Sequence, residues 1–376
     1  MLRLSYFSRE NYVRALLMAM TAFLAASLLM VAVADPAHAR KRSTSSPIVF
    51  VSDRDGTGGE IYRMNANGTS PKRLTTTGHN DAPAFSANRK KIAFVHFEGS
   101  TEDIYVMNAD GSGQKNLTNA PSGVQNSAPN ISSDGTKIAF QRFTHDTQTN
   151  SYNYDIYVMN SDGTGTPQKF TNGGSNYTPS ISLDGTKVTF SGYDSSTNGN
   201  EIYVGNVGFS GATRITSSGG NSEPVFSPDG TKIAFAHDND GQGQDIWVMN
   251  ENGTGQTNLT NGAAPQTDNH PAFSPNGQKI TFYTSFYLGG GCGVNYIWAM
   301  NASDGSGLIR LTTPATGGCD YDPVYSADGT KIVFERGLNN NAEIYAMRAS
   351  DGSNQTNLTN NTSARDTAPD SGGGRR

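Results

Sequence analysis

The sequence predicts an all-β protein, a β-propeller of four-stranded blades, on three observations. The phrase DIYVMNADGSGQKNLT at residues 103–118 returns as DIYVMNSDGTGTPQKFT from Asp155 and as DIWVMNENGTGQTNLT from Asp245. A two-residue Asp-Gly or Asn-Gly turn precedes most copies, in PSISLDGTKVTF and PVFSPDGTKIAF, and such turns join hairpin strands. No long amphipathic helical pattern occurs after residue 40. Only 16% of the 376 residues are charged and 43 are glycine, a composition suited to many short strands and tight turns.

Each repeat divides into strands A to D. Strand A is the short apolar run around a proline, as in PAF, PSI and PVF. Strand B carries the triplet Ile48-Val49-Phe50, then IAF ending at Phe94, Phe140 and Phe235, VTF at Phe190, ITF at Phe282 and IVF at Phe334. Strand C opens with the IY or IW pair at Ile61, Ile104, Ile156, Ile202, Ile246, Ile297 and Ile344. Runs such as IYVM, apolar at successive positions, suit strands buried on both faces, as in blades stacked around an axis. Strand D leads into the apolar-Thr step at Leu74, Leu117, Phe170, Ile215, Leu259, Leu311 and Leu358. Glu60 to Glu343 spans six intervals of about 47 residues, the length of a propeller blade.

An Asn or Asp stands three residues before each strand-A proline, at Asn80, Asn126, Asn176, Asn221, Asp268 and Asp320, and the tail repeats it with Asp366 before Pro369. The expectation is therefore seven blades, the first completed by a C-terminal inner strand. A six-bladed ring is one alternative, and a frayed terminus with an open ring another, because Asp370 and Ser371 make the tail strand polar where the others are apolar. A closed propeller exposes few strand edges, so a monomer is expected.

Residues 1–39 read as an export signal: Arg3, Arg9 and Arg14 precede an apolar run from Ala15 to Ala34, and Ala37-His38-Ala39 offers a cleavage site. The same run, left uncleaved, would anchor the chain in a membrane. Residues 40–46 form a linker, 47–371 the propeller and 372–376 a tail. Cleavage would leave 25 basic against 31 acidic side chains, which gives nucleic acid no basic patch. Cys292 and Cys319 are an even pair in an exported chain, and a Cys292–Cys319 disulfide is expected.

The stretch PVFSPDGTKIAFAHDNDGQGQDIWVMNENGTGQTNLT at 224–260 resembles the TolB-like propeller repeat, and residues 47–371 read as tandem copies of it. The resemblance implies a propeller outside the cytoplasm; TolB carries an N-terminal α/β domain, and the expectation here departs from that pattern, since the repeats begin shortly after the expected cleavage site. Relatives of that repeat also include propellers attached to serine peptidase domains and propeller-shaped pectic lyases.

In such a meander the A–B and C–D turns share one face, where DGTK and N-x-DG-S/T-G are nearly uniform. The B–C and D–A connections share the other face and vary, which marks the expected binding surface. The histidines beyond the signal, His79, His96, His145, His237 and His270, fall there, and Glu223, His270 and Asp322 hold the same pre-proline position in three successive blades. Those three could bind a cation or polarise a substrate, or simply be solvated rim residues. Tyr152 and Tyr154 in one long B–C loop, and Phe286, Tyr287 and Leu288 in another, are the aromatic and apolar anchors expected to meet a partner. The acids that open strand C, Glu60, Asp103, Asp155, Glu201, Asp245 and Glu343, are expected to hold the B–C loops by hydrogen bonds; Tyr296 breaks that series. DRDG at 53–56 and DNDG at 238–241 lack the further ligands of a calcium loop and read as turns.

No G-x-S-x-G, H-E-x-x-H or P-loop motif occurs, so no catalytic residue, metal ligand or cofactor is assigned. The functional expectation is a non-catalytic binding or scaffold propeller, periplasmic, cell-surface or secreted, taking a protein or glycan on its variable face. A glycan or small-ligand binder is the alternative, and a lyase or hydrolase a more distant one.

Overall fold

The computed structural model describes residues 46–373 except 57, 210, 239–240, 242, 263–265, 287–293, 315–317 and 339–340. The described chain is β-structure joined by turns. Its strands are β1 (Ile48–Ser52), β2 (Glu60–Met64), β3 (Lys72–Arg73), β4 (His79–Phe85), β5 (Lys91–Glu98), β6 (Thr101–Asn108), β7 (Lys115–Asn116), β8 (Gln125–Ile131), β9 (Lys137–Asp146), β10 (Ser151–Asn160), β11 (Gln168–Lys169), β12 (Asn176–Ile181), β13 (Lys187–Asp194) and β14 (Gly199–Asn206). There follow β15 (Thr213–Arg214), β16 (Asn221–Phe226), β17 (Lys232–Asp238), β18 (Gln244–Asn250), β19 (Thr257–Asn258), β20 (Gln266–Phe273), β21 (Lys279–Phe286), β22 (Val294–Asn301), β23 (Ile309–Arg310), β24 (Gly318–Tyr325), β25 (Lys331–Leu338), β26 (Asn341–Arg348), β27 (Thr356–Asn357) and β28 (Asp366–Asp370).

From β4 to β27 consecutive strands pair in antiparallel fours, six meanders in chain order, and the remaining four assemble as β28-β1-β2-β3. β28 runs antiparallel to β1, with Val51 opposite Thr367 and Ser52 opposite Asp366. We number the meanders by strand B, so that β28-β1-β2-β3 is the first and β24 to β27 the seventh.

Period-two alternation explains the core. In the IAF triplet Ile92 and Phe94 point to one side of the sheet and Ala93 and Val95 to the other. Ile92 and Phe94 accordingly join Val49, Val51 and Ile61 of the first meander, while Ala93 and Val95 join Ile138 and Phe140 of the third. The pattern recurs between successive meanders, and a further cluster brings Val324, Val333, Ile344 and Leu358 of the seventh against Ile48, Phe50, Tyr62 and Met64 of the first. The strand-B phenylalanines Phe50, Phe94, Phe140, Phe190, Phe235, Phe282 and Phe334 are all fully buried.

The strand-C acids act differently from expectation. Among the described residues their carboxylates chiefly hold the D–A connection rather than the B–C loop. Thr171 Oγ1 donates to Asp155 Oδ1 at 2.7 Å while accepting from the Ile156 backbone N–H at 3.0 Å, and the Gly173 N–H adds a second bond to the carboxylate at 2.7 Å. Glu201 repeats this with Thr216 and the Gly219 N–H, and Asp245 with Thr260 and the Gly262 N–H. The reason is geometric: strand D is only two residues long, so the threonine just beyond it lies beside the start of strand C. The B–C loops of the first and fourth meanders are held instead by Asp55 and Asp194. Tyr203 donates to Asp194 Oδ2 at 3.0 Å and Arg214 at 2.8 Å, and Tyr62 and Arg73 make the same bonds to Asp55.

The Asn or Asp residues that begin strand A are buried in every meander. Each meets the end of strand B or the start of strand C: Asn80 faces His96 Nδ1 at 2.9 Å, Asn126 accepts from Arg142 at 2.7 Å, and Asp320 takes Arg336 Nε at 2.6 Å and Nη2 at 2.8 Å. Asp366 of the tail takes Arg54 at 2.9 Å. The polar tail strand thus has partners on both flanks. Asp370 Oδ2 accepts from the Phe85 N–H of the second meander at 2.8 Å, and Ser371 Oγ donates to the Tyr325 carbonyl of the seventh at 2.7 Å.

Candidate functional site

Strand A of each meander carries a bulge just before its proline. The ladder register shifts there, between Ser222 and Val225 or Asn269 and Ala272 for example. The bulged residue has a left-handed backbone in all seven cases: Ala82, Ala128, Thr178, Glu223, His270, Asp322 and Ala368 have φ between 48° and 54°. For a side chain other than glycine this costs about 1–2 kcal/mol, so its sevenfold recurrence marks a built feature. A bulge re-aims one side chain out of the alternating pattern. Here the re-aimed residues Ala82, Ala128, Thr178, Glu223 and His270, with their prolines, line one cavity of about 220 Å³.

Three of these positions form a bridged cluster. His270 Nε2–H donates to Glu223 Oε1 at 2.9 Å and Nδ1–H to Asp322 Oδ1 at 2.8 Å. The His270 backbone N–H adds a bond to Glu223 Oε2 at 2.7 Å. An imidazole with an acceptor at each nitrogen is held as the cation. Burial among protein atoms pulls its pKa down, but the hydrogen bonds and charges of Asp322 and Glu223 outweigh it and hold the ring at about 10. Tyr283 lies 5.4 Å from the imidazole, and burial with the same two carboxylates pushes its phenol well above the usual range. A cation with both nitrogens engaged can orient and hold charge, but it offers no lone pair as a base. Among the described residues no three His, Cys, Asp or Glu side chains are grouped to hold a metal ion.

The other histidines lie apart from this cluster. His96 and His237 bond the buried Asn80 and Asn221, His79 rests 4.8 Å from Phe97, and His145 stacks on Tyr152. The last of these belongs to the long β9–β10 hairpin. Register places Phe143 opposite Tyr154 and His145 opposite Tyr152, so all four rings share one face of the ribbon. The His145 and Tyr152 rings are 4° from parallel at 4.4 Å, Phe143 stacks on Tyr152 at 6.0 Å, and Tyr154 continues the row to Tyr177 of β12 at 5.2 Å. Tyr152, at the outer end, is 57% exposed. Phe286 ends β21 half-buried, its ring edge-on to Tyr296 at 5.8 Å; Tyr287, Leu288 and Cys292 lie outside the described residues, and Cys319 is buried.

Shared register position was a sufficient signal for the Glu223, His270 and Asp322 cluster. Phe143 and Tyr177 are absent from the residues expected at the variable face and His145 stands there only as a histidine, although aromatic residues two apart on both arms of one hairpin are the pattern that carries the row. Asp370, which enters the cavity lining, gave no such signal, because it looked like a defect in a strand.

A family model described as the TolB beta propeller domain matches residues 136–372. No curated protein shows a significant match. Among solved structures, TolB from Acinetobacter baumannii is 24% identical with a TM-score of 0.52, over 71% of this chain and 63% of that one, so the chain spans less than two thirds of that protein. A puromycin-hydrolyzing peptidase of Mycobacterium tuberculosis is 14% identical with a TM-score of 0.60, over 80% of this chain and 50% of that one. An oligogalacturonate lyase from Vibrio parahaemolyticus is 14% identical with a TM-score of 0.56, over 84% of each chain. At these identities the structures speak for the fold alone. The family match spans well over half of the sequence, and the chain belongs to the TolB beta propeller domain family.

Proposed function

We propose that this protein is an exported, non-catalytic propeller of seven blades, closed by the C-terminal strand β28, that captures a protein partner on the face bearing its B–C and D–A connections. Closure is supported by the pairing of β28 with β1 and by the apolar cluster joining the seventh meander to the first. The binding reading rests on one observation: the row of rings from His145 to Tyr177, whose exposed end, Tyr152, is stacked against Phe143 and His145. An aromatic anchor fixed before binding loses little entropy when a partner covers it. Its site of action is the envelope or the exterior, reached by export through residues 1–39 with cleavage after Ala39; the mature protein then begins at Arg40.

The test is capture from envelope extracts. Tyr152→Ala and Tyr154→Ala reduce capture several-fold with the melting temperature nearly unchanged, whereas Ser112→Ala on the uniform face leaves capture intact. Equal capture by all of these variants would sink the assignment of the face. Tyr287→Ala belongs to the same series. Glycan binding is the alternative outcome, read by competition with soluble oligosaccharides. Because the fold is shared with a lyase and a peptidase, turnover of an oligogalacturonate or a peptide substrate that is lost in His270→Gln would overturn the non-catalytic reading. The Cys292–Cys319 bridge would close a loop of 27 residues, about 3–4 kcal/mol in the chain-entropy model. Titration of the oxidised protein should find no free thiol.

A further inference from the structure

In the second to sixth meanders the lysine that opens strand B stands opposite an asparagine that ends strand C: Lys91 and Asn108, Lys137 and Asn160, Lys187 and Asn206, Lys232 and Asn250, Lys279 and Asn301. Lys137, Lys232 and Lys279 donate to the asparagine Oδ1 at 2.6–2.7 Å. In the seventh meander the residue opposite Lys331 is Arg348. A neutral acceptor is thus exchanged for a second cation, and like charges directly opposite in an antiparallel pair repel. Neither cation is firmly held. Lys331 Nζ reaches the Ala66 carbonyl of the first meander at 3.3 Å, and Arg348 Nη1 lies 3.7 Å from Asp351, beyond hydrogen-bond distance. With side chains 55% and 47% exposed, that ion pair contributes little.

The two cations line a cleft of about 420 Å³ between the seventh meander and the first, with Asn67, Thr330, Ala346 and Thr356. Asn67 holds the turn position that Asp110 and Asp162 hold in the next two meanders, so the turn facing the cleft is neutral. Its side-chain oxygen accepts from Thr69, which leaves the amide group as a donor. Thr356 stands where Lys72 and Lys115 cross to the carbonyls of Asp110 and Asp162, so no lysine of β27 spans this seam. Asp328, in the adjoining A–B turn, is engaged by Ser326 Oγ at 2.6 Å and by the Thr330 N–H at 3.0 Å. The sequence flanking the described residues, 40–45 and 374–376, carries five Lys or Arg and no Asp or Glu.

We propose that this cleft binds a phosphate monoester, with Arg348 and Lys331 on the phosphoryl oxygens and Asn67 as a further donor. The guanidinium fork suits a tetrahedral oxyanion, and the ammonium adds a point charge. A phosphate monoester brings about −1.5 to −2 charges near pH 7 and three acceptor oxygens, where a carboxylate sets one charge against two cations. The cleft lies on the face of the A–B and C–D turns, away from the aromatic row, so it stands or falls independently of partner capture there.

Calorimetric titration of the intact protein with glycerol 3-phosphate should show binding to one site, weakened by salt, while acetate and glycerol at equal concentration give none. Arg348→Asn restores the Lys–Asn pair of the other meanders, so the fold is kept, and it should weaken binding about tenfold or more. Lys279→Gln, at the equivalent strand-B position of the sixth meander, should leave the affinity unchanged, and an equal loss there would count against the cleft. Flotation with phosphatidylcholine vesicles containing phosphatidic acid separates the two sources of this chemistry. Where glycerol 3-phosphate binds, flotation that is lost in Arg348→Asn assigns the cleft to a lipid headgroup, and any other flotation result assigns it to a soluble ester. No binding of glycerol 3-phosphate, equal binding of acetate, or unchanged affinity in Arg348→Asn overturns the proposal.

Discussion

The second to fourth meanders and the fifth to seventh share one backbone plan and differ in what they present at the pre-proline bulge. Ala82, Ala128 and Thr178 occupy it in the former, and Glu223, His270 and Asp322 in the latter, all with the same left-handed φ. The backbone device is therefore structural, since it persists where the side chain is only a methyl group. The charged side chains are an addition to it. Nothing in the bulge requires a carboxylate, so the Glu223–His270–Asp322 bridge is where this chain departs from its own repeat. The departure has a further aromatic part, because Tyr283 and Tyr321 stand 5.6 Å apart beside the same cluster.

The seam between the two halves is the place to break the comparison most severely. The tail reaches the charged half through Ser371, just beyond β28, and the small-residue half through Asp370 of β28. Deletion of residues 366–376 strips β1 of its inner partner and removes both latches. A loss of several kcal/mol is expected, on the order of a few buried hydrogen bonds, and urea unfolding measures it. An unchanged midpoint would show that the two halves hold together without the seam.

Within the halves the expected effects are unequal. Glu223→Ala leaves the His270 backbone N–H and Nε2–H without their acceptor and should cost about 1–2 kcal/mol, moderated because both side chains are partly exposed. Thr178→Ala, at the same bulge on the other side, should stay within about 0.5 kcal/mol. Equal losses from the two would erase the distinction.

Alkaline pH sharpens it further. His270 carries a pKa raised to about 10, against an unfolded value near 6.5. The folded state therefore holds the extra proton, and the stabilisation is complete below about pH 6.5 and lost as pH rises towards 10. The melting temperature of the wild type should approach that of His270→Gln over this range, and a constant gap between the two would contradict the bridge. No such convergence is expected between wild type and Thr178→Ala.

Much of this was legible in the sequence because a repeat encodes its own geometry. The spacing of IAF, IYVM and the apolar-Thr step placed the strands and their buried faces, since alternation of side chains follows from the strand itself. The pre-proline position of Glu223, His270 and Asp322 could likewise be read from aligned copies. Distances between copies could not. That His270 gives one nitrogen to each neighbour's carboxylate depends on how far apart adjacent meanders sit, which the packing of Phe282 and its counterparts decides. The same limit explains one feature that the sequence left open and one that it misplaced. Asp370 and Ser371 look unsuited to an inner strand until β4 and β24 supply a donor and an acceptor beside them, and the strand-C acids look aimed at the preceding B–C loop until the short strand D brings its threonine back alongside. A polar side chain's partner is chosen by whatever the fold places within about 3 Å of it, and for residues far apart in the chain only the tertiary structure decides what that is.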